Sequence, residues 1–281
     1  MKFSVVLSLL PAIALAQSSS QSQETSTIWV EAEETDAYQW DADWYKDYPI
    51  HSSCNRTKYN QLVQAFQETK QVAAHARDHT LRYSNNSEIY RKYFGNAPSG
   101  EVVGWFSNVV DQDKTGLLFR CDNPDGNCNN SGWAGHWRGE NGTDETVICD
   151  LSFNSRLWIS QLCSRGYRVS KVKDSVFWAG DLLHRIWHTS IMGQNVVGHY
   201  ADTYDEILEL ALTNEEEAVR NSATLRYYAL EVYAYDIAVP GVGCSGEDEE
   251  EEESSEQPTS STQAEGGTEC HTHADGETHC V

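Results

Sequence analysis

Basic residues are scarce in this sequence, and their scarcity excludes two classes of partner. The 281 residues include 20 Lys and Arg against 43 Asp and Glu, which gives a formal net charge of −23 at pH 7. A chain this acidic is repelled by the phosphates of nucleic acids and by anionic membrane surfaces. The sequence therefore predicts no nucleic-acid binding, and it leaves metal cations and basic protein surfaces as partners.

Long apolar segments are absent after the N-terminus, so we expect no membrane insertion. Residues 1–16 combine one basic residue, a short apolar run and the small-x-small sequence Ala14-Leu15-Ala16, a pattern typical of a signal peptide. The run is too short to span a bilayer. The sequence thus predicts a secreted, extracellular protein whose mature chain starts near Gln17.

Eight cysteines form an even set, and secretion would place them in an oxidising compartment where disulfides form. Cys121 and Cys128 enclose a turn-rich loop that a local disulfide could close, whereas the other pairings cannot be inferred from the sequence. Four Asn-x-Ser/Thr sequons predict N-glycosylation, at Asn55, Asn85, Asn129 and Asn141.

Composition divides the rest of the chain into four parts. Residues 17–28 are rich in Ser, Gln and Thr and are predicted to be disordered, and residues 29–244 form the apolar body. Residues 245–269 contain an unbroken acidic run, Glu247 to Glu253, and little that is apolar, which predicts an extended, disordered linker. Residues 270–281 differ again because they concentrate Cys and His.

Apolar residues recur at helical spacing through much of the body, which predicts an α+β fold with helices in the majority. One strand is expected over residues 146–153. Helices are expected over residues 59–82, 176–188, 204–212 and 218–236.

Two histidines one helical turn apart form the first candidate metal site. His184 and His188 occupy positions i and i+4 of a predicted helix, so both imidazoles lie on one face and can bind one ion together. A glycine-bounded loop follows and could return His199 as a third ligand, with Asp202 in reserve. Spacing alone also fits two ordinary, partly buried histidines.

The C-terminal segment is the second candidate zinc site. Three His and two Cys within eleven residues form a dense set of zinc ligands, namely Cys270, His271, His273, His279 and Cys280. A disulfide between the two cysteines is compatible with binding by the imidazoles. Because the predicted linker separates this segment from the body, we expect the two sites to bind zinc independently.

The other histidines are weaker candidates. His75 and His79 repeat the i,i+4 spacing on another predicted helix, and for this pair we favour a structural role. His136 fits a loop or a cleft lining equally well, and no role is assigned to His51.

Several segments resemble the deuterolysin-type zinc metalloproteases of fungi, which are zincins: Val147–Asp150, His184–His188 and Asn221–Ala229. A closer resemblance, over nearly the whole mature chain, is to the fungal pH-regulated antigen or zincophore family, secreted zinc-scavenging proteins that include a major mould allergen. The segments that carry it are His75–Tyr83, Tyr93–Gly95, Ala134–Gly139, Tyr235–Gly241 and Cys270–Cys280.

This resemblance implies a zincin-like domain that holds Zn²⁺ and captures zinc outside the cell. It also implies return of the zinc to a cell-surface zinc transporter, with re-association of the protein with the fungal surface. Host complement regulators and a leukocyte integrin are the further partners that it implies.

One departure from the protease pattern concerns catalysis. Zincin peptidases need H-E-x-x-H, in which the glutamate acts as general base on the metal-bound water. Arg185 stands at that position and stays protonated, and the G-T-x-D third-ligand motif is missing. Glu206, on the next predicted helix, could serve as a substitute base or as a metal ligand. We expect little or no peptidase activity, because loss of the base lowers the rate about 10²–10⁴-fold.

Two alternatives to a zinc-capturing protein remain at this point. One is an active metalloprotease with an unusual base. The other is an adhesin or immune-evasion protein in which zinc is only structural.

Overall fold

The computed structural model describes residues 39–246 and, as backbone, the strands Cys270–Thr272 and Thr278–Cys280. The predicted signal peptide, the N-terminal segment up to residue 38 and most of the predicted linker lie outside the described residues, as does His273. What the sequence predicts for them stays a prediction.

The chain divides into two compact units, Met1–Asp43 and Trp44–Val281. Of the first unit, residues 39–43 are described, and they form a turn in which the Ala42 N–H donates to the Gln39 carbonyl at 3.2 Å. All elements below belong to the second unit.

Helices make up most of the described chain, as predicted. The helices are α1 (Arg56–Tyr83), α2 (Glu88–Phe94), α3 (Gly100–Asp111), α4 (Asp150–Ser155), α5 (Trp178–Trp187), α6 (Ser190–Gly193), α7 (Tyr204–Thr213), α8 (Glu215–Ala218) and α9 (Ser222–Tyr233), which continues as a π-helical turn over Ala234–Ala238. The strands are β1 (Leu118–Arg120), β2 (Gly135–Trp137), β3 (Glu145–Ile148), β4 (Cys270–Thr272) and β5 (Thr278–Cys280).

The long helix α1 organises the core. The side-chain oxygen of Asn55 accepts a hydrogen bond from the Lys58 backbone N–H at 3.0 Å and so caps the first turn. One face of α1 is fully buried, with Leu62 and Val72 on it, and packs against α3, α5 and α9. Burying such a side chain contributes roughly 1.5–3 kcal/mol, so this face fixes the position of α5, which carries the candidate metal ligands.

The small sheet has the strand order β1-β3-β2. Strand β1 runs parallel to β3, and β2 runs antiparallel to it, with His136 opposite Val147. Strand β2 therefore has one edge without a partner strand in the described sheet. Strands β4 and β5 form a separate antiparallel pair.

The sequence predicts the bounds of the helices more accurately than those of the strand. The predicted strand 146–153 is wrong beyond Ile148, because the chain turns at Cys149 and Asp150 begins α4. The predicted helix 218–236 starts late, at Ser222, because Asn221 and its neighbours pair with the loop at Gly198. Helices α2 and α3 were not predicted.

Three disulfides stabilise the body, and the local pairing suggested by the sequence is wrong. The bonds are Cys54–Cys121, Cys128–Cys149 and Cys163–Cys244. The Cys121 backbone N–H donates to Ser53 Oγ at 3.0 Å, which places Cys121 beside Cys54 at the end of β1. These contacts join segments distant in sequence, so loop composition could not reveal them.

All four sequon asparagines are exposed, as attachment of a glycan requires: Asn55, Asn85, Asn129 and Asn141. Glycosylation itself stays a prediction. Among the described helices, none combines the length and the apolar composition required to cross a bilayer.

Candidate metal centre

Helix α5 carries His184 near its C-terminal end and has His188 as its C-cap residue. Every residue of α5 is buried, because Leu182 and Ile186 pack into the core on one side while the histidines lie on another. His184 is 6% exposed and His188 is partly exposed. The i,i+4 spacing thus places two imidazoles at the boundary between the core and solvent.

The chain reverses directly after α6, as the sequence suggested. Gln194 and Asn195 adopt left-handed backbone conformations, with φ of 55° and 53°. Gly193 packs so tightly against the end of α5 that a Cβ there would lie 1.8 Å from the Trp187 carbonyl oxygen. This close approach lets the loop return toward the two histidines.

A buried asparagine at the start of α9 holds the returning loop in place. Asn221 Oδ1 accepts from the Tyr200 N–H at 2.9 Å, and its Nδ2 donates to the Ala201 carbonyl at 2.9 Å. The Ser222 N–H also donates to the Gly198 carbonyl at 2.9 Å. These bonds flank His199 on both sides and fix its backbone.

The structure brings His184, His188 and His199 together. The Nε2 atoms of His184 and His188 are 3.1 Å apart, and those of His188 and His199 are also 3.1 Å apart. The ligand nitrogens of all three lie within 4.8 Å of one another. Three nitrogens bound to one tetrahedral zinc at its usual bond length would be about 3.3 Å apart.

Asp202 lies behind His199 rather than beside the other imidazoles. Its Oδ1 is 2.8 Å from His199 Nδ1, and the Nδ1–H group donates a hydrogen bond to this carboxylate. His199 Nε2 then presents its lone pair to the cluster, as a metal ligand must. The structure gives Asp202 the role of orienting His199, where the sequence held it as a reserve ligand.

The donor set fits a zinc ion on the geometry of this cluster. His188 Nε2 faces two ring nitrogens at the same distance, and one ring proton cannot satisfy both contacts well. A cation shared by three neutral imidazoles would satisfy all of them, and three His ligands with an open fourth position are a known zinc arrangement. The Trp137 ring stacks on His188, with centroids 6.4 Å apart, and closes one side.

Glu206, which the sequence left as a substitute base or ligand, is engaged elsewhere. Its carboxylate accepts from the backbone N–H groups of Asp202 and Thr203 at 3.1 and 3.0 Å, in a capping box at the start of α7. These hydrogen bonds hold the pKa of Glu206 below its ordinary value. A carboxylate so stabilised is a poor proton acceptor.

Arg185 is buried and turned toward a carboxylate one turn earlier on α5. Its Nε and Nη2 donate to the two oxygens of Asp181 at 3.0 and 2.8 Å, and Arg156 Nη2 donates to the same carboxylate at 3.1 Å. Burial alone raises the pKa of Asp181, but the two guanidinium charges outweigh burial and leave that pKa below its ordinary value. Arg185 is therefore held in a buried ion pair with Asp181, at the position where H-E-x-x-H has its glutamate.

The glycine at the start of β2, Gly135, leaves room for the guanidinium of Arg185. A Cβ added at Gly135 would lie 2.6 Å from Arg185 Nη1 and 2.5 Å from the Val147 carbonyl oxygen. Only glycine allows both neighbours to approach so closely.

A cleft of about 260 Å³ opens beside His184. His184, Arg185 and Asp202 line it together with Lys171, Arg226 and Tyr227. The cleft gives a ligand access to the side of His184.

The other histidines of the body have structural partners. His75 Nε2 and His79 Nδ1 lie 2.9 and 2.7 Å from the same oxygen of Asp236, and His79 Nε2 lies 2.9 Å from Ser87 Oγ. His136 is fully buried, with Nε2 3.2 Å from a carboxylate oxygen of Asp125.

A second His/Cys group in the described body does not form a metal site. His136 lies within ligand distance of Cys128 and Cys149, but these two cysteines form a disulfide. Their sulfurs are therefore not thiolates.

The C-terminal candidates are described only as backbone. His271 lies opposite His279 in the β4–β5 register, and Cys270 lies opposite Cys280. Zinc binding by these four residues and by His273 stays a prediction.

Two residues of the centre were not identified as functional from the sequence. Asn221 lies in a segment noted only for its family resemblance, and no local pattern shows that it holds the loop. Asp181 could have been found, since its i,i+4 spacing to Arg185 is that of a helical ion pair.

Comparison with known proteins supports the family that the sequence suggested. The chain is 58% identical to the pH-regulated antigen PRA1 of Candida albicans, over 79% of this chain and 75% of that protein. It is 52% identical to the major allergen Asp f 2 of Aspergillus fumigatus, over 75% of this chain and 68% of the allergen. Among solved structures, a zinc peptidase from Grifola frondosa aligns with a TM-score of 0.47 at 15% identity, over 63% of this chain and 97% of that chain. The sequence profile named HRXXH and described as "Putative peptidase family" matches residues 3–247, and this chain belongs to that family.

Proposed function

We propose that this protein binds zinc outside the cell through His184, His188 and His199, and that it captures the ion without catalysing peptide hydrolysis. The observation that carries the proposal is the cluster of three imidazole nitrogens, two of whose contacts are 3.1 Å. Three disulfides in the described body are consistent with the predicted secretion, because such bonds persist in oxidising compartments.

Among the described residues, the two that the sequence places nearest to the role of a base are engaged elsewhere, which supports capture over catalysis. A zinc peptidase needs a group that takes a proton from the metal-bound water. The guanidinium of Arg185 donates to the carboxylate of Asp181, and the carboxylate of Glu206 accepts from backbone N–H groups at the start of α7. Return of zinc to a cell-surface transporter, and binding of host complement regulators and a leukocyte integrin, extend the proposal on the strength of the family resemblance alone.

Removing two ligands tests the proposal directly. We expect His184→Ala plus His188→Ala to reduce the zinc bound by the full chain by one ion, measured by calorimetry and metal analysis. His51→Ala is the control, because it removes an imidazole whose partner is Ser53, and it should bind as much zinc as the wild type. Equal zinc stoichiometry in the double variant and the wild type would contradict the proposal.

The orientation of His199 provides a second prediction. Asp202→Asn should weaken zinc affinity about 10–100-fold, because such hydrogen-bond partners fix the tautomer and raise the basicity of the ligand. Asp205→Asn is the matched control, since it makes the same charge change at an exposed neighbour. If both variants bind zinc equally well, Asp202 does not orient a ligand.

A further inference from the structure

A second group of metal-ligand side chains lies at the small sheet and shares no residue with the candidate metal centre. A ring nitrogen of His136 and the sulfurs of Cys128 and Cys149 lie within 4.8 Å of one another. In the oxidised protein the two sulfurs form a disulfide, so the group does not bind a metal. Reduction of this disulfide supplies two thiolates beside an imidazole, and two Cys with one His and an open fourth position are a known zinc arrangement.

The sheet places His136 and Cys149 on the same face. His136 is opposite Val147 in the β2–β3 register. Cys149 follows β3 directly, and its backbone N–H donates to the Ala134 carbonyl on β2 at 2.9 Å. Because alternate residues of a strand share a face, Cys149 lies on the face of Val147, and His136 lies there too. This placement depends on the sheet and not on the disulfide.

The contacts of His136 leave one ring nitrogen with a lone pair for a metal. The side chain is fully buried, and its Nε2 lies 3.2 Å from a carboxylate oxygen of Asp125. Its Nδ1 is also buried and has no hydrogen-bond partner in residues 39–246. A proton on Nδ1 would be a buried donor without an acceptor, so the proton lies on Nε2 and is donated to Asp125. Metal-binding histidines commonly have such a carboxylate behind them.

The loop that carries Cys128 is held to the sheet by more than the disulfide. Arg138, directly after β2, donates from Nε and Nη2 to the two carboxylate oxygens of Asp125 at 2.8 and 3.1 Å. The same carboxylate accepts from His136. The Cys128 backbone N–H donates to Asn123 Oδ1 at 3.1 Å. These hydrogen bonds remain when the disulfide opens, and they keep Cys128 close to the other two donors.

We propose that Cys128, His136 and Cys149 form a redox-dependent zinc site, which becomes available when a small thiol reduces the Cys128–Cys149 disulfide. The inference does not rest on the proposed function, because it uses none of the three histidines of the metal centre. The protein then holds one more zinc ion under reducing conditions. It releases that ion when a small disulfide takes the two electrons back.

The reduction and the binding step balance as follows. Cys128 is partly exposed and Cys149 is 3% exposed, so the incoming thiolate approaches from the Cys128 side. It attacks the Cys128 sulfur and displaces the Cys149 thiolate, and a second thiol then frees Cys128 and leaves as a small disulfide. Two electrons and two protons thus pass to the protein. Zn²⁺ displaces the two thiol protons and binds both sulfurs and His136 Nδ1.

Cobalt(II) is the probe for the test, because thiolate ligands give it an intense near-ultraviolet charge-transfer band that imidazoles alone do not give. Every sample is the full-length chain with Cys270→Ser plus Cys280→Ser, which removes the thiols of the C-terminal candidate site. Each protein is measured oxidised, and again after reduction by a small thiol that is then removed without air. Circular dichroism records whether the helices persist.

Two variants and a matched control locate the band. Cys128→Ser plus Cys149→Ser removes the thiolates, and His136→Ala removes the imidazole. The control is Cys163→Ser plus Cys244→Ser, which removes another disulfide of the body. Among the described residues, those two cysteines belong to no such group of metal-ligand side chains.

We expect the reduced protein and the reduced control to give the band, and the oxidised protein to lack it. The serine pair at Cys128 and Cys149 should abolish the band. His136→Ala should weaken cobalt binding at least about tenfold, since even the loss of a residue behind a ligand costs 10–100-fold. A reduced protein that loses its helices, or keeps them and shows no band, overturns the proposal. Unchanged cobalt affinity in His136→Ala overturns it as well.

A further variant separates this inference from the proposed function. His184→Ala plus His188→Ala should lower zinc binding by the oxidised protein and leave the band of the reduced protein unchanged. If the band is lost in this variant, the thiolate site at the sheet does not exist as proposed. If zinc binding by the oxidised variant is unchanged while the band persists, the proposed function fails and the redox-dependent site stands.

Discussion

The variant Arg185→Glu should lose about 3–5 kcal/mol of unfolding free energy and gain no peptidase activity, although it restores the H-E-x-x-H sequence. Removing one partner of a buried ion pair costs this much because the other charge remains buried without compensation. Here the new carboxylate would also lie beside Asp181, which is 2% exposed. Urea unfolding at pH 7 measures the loss, and a casein assay with added zinc measures the activity.

Arg220→Glu is the control for this charge reversal. Arg220 also pairs with two acids, Glu101 and Glu216, but a third of its side chain is exposed. The same substitution there should cost much less stability than Arg185→Glu, because solvent screens the charges. An Arg185→Glu protein that is as stable as the wild type and cleaves casein in a chelator-sensitive manner would contradict both the structural role and the non-catalytic function.

The geometry of α5 keeps the arginine away from the proposed cation site. Consecutive residues on a helix are rotated by about 100°, so Arg185 leaves the face that His184 and His188 share. The carboxylate of Asp181 and the open space above Gly135 then hold its guanidinium on the sheet side. The motif therefore keeps two histidines one helical turn apart and has a buried ion pair where H-E-x-x-H has its glutamate.

Features of the fold that depend on local sequence were predictable, and those that depend on distant contacts were not. Helical spacing predicted α1 and α5 because amphipathic periodicity is a property of one segment. The pairing of Cys54 with Cys121 depends on the position of β1 against the start of α1, 67 residues earlier in the chain. No pattern within either segment encodes that contact.

The candidate metal site also combines features that the local sequence predicts with features that depend on distant contacts. The facing imidazoles of His184 and His188 follow from i,i+4 spacing. The return of His199 could be suggested from the glycine-bounded loop, but its final position depends on Asn221, which is 22 residues further along the chain. Whether a nearby carboxylate acts as a ligand or orients one depends on angstrom-scale geometry, as Asp202 illustrates.

The second large effect is expected for Asp181→Asn, which should lower the unfolding free energy by about 3–5 kcal/mol at pH 7. The substitution leaves the guanidinium groups of Arg156 and Arg185 buried without their shared carboxylate. In the wild type, the charges of these two arginines outweigh burial and lower the pKa of Asp181. Urea unfolding of both proteins from pH 7 down to acid pH measures the loss and its pH dependence.

The lowered pKa of Asp181 determines how its contribution to stability changes with pH. The unfolded pKa of an aspartate is about 3.9, and the folded pKa of Asp181 lies below it. The stabilisation from its charge is therefore complete above about pH 4 and disappears as the pH falls through the folded pKa. The difference in unfolding free energy between wild type and Asp181→Asn should shrink over that acid range.

Asp174→Asn is a control for which the stability difference from the wild type should change with pH in the opposite direction. Asp174 is also buried and pairs with Arg226, but burial outweighs that charge and raises its pKa above the ordinary value. Because the folded protein holds this proton more tightly than the unfolded chain, the wild type should gain stability relative to Asp174→Asn as the pH falls. If the two stability differences change in the same direction on acidification, or if Asp181→Asn is as stable as the wild type at pH 7, then the two arginines do not depend on Asp181 as the structure requires.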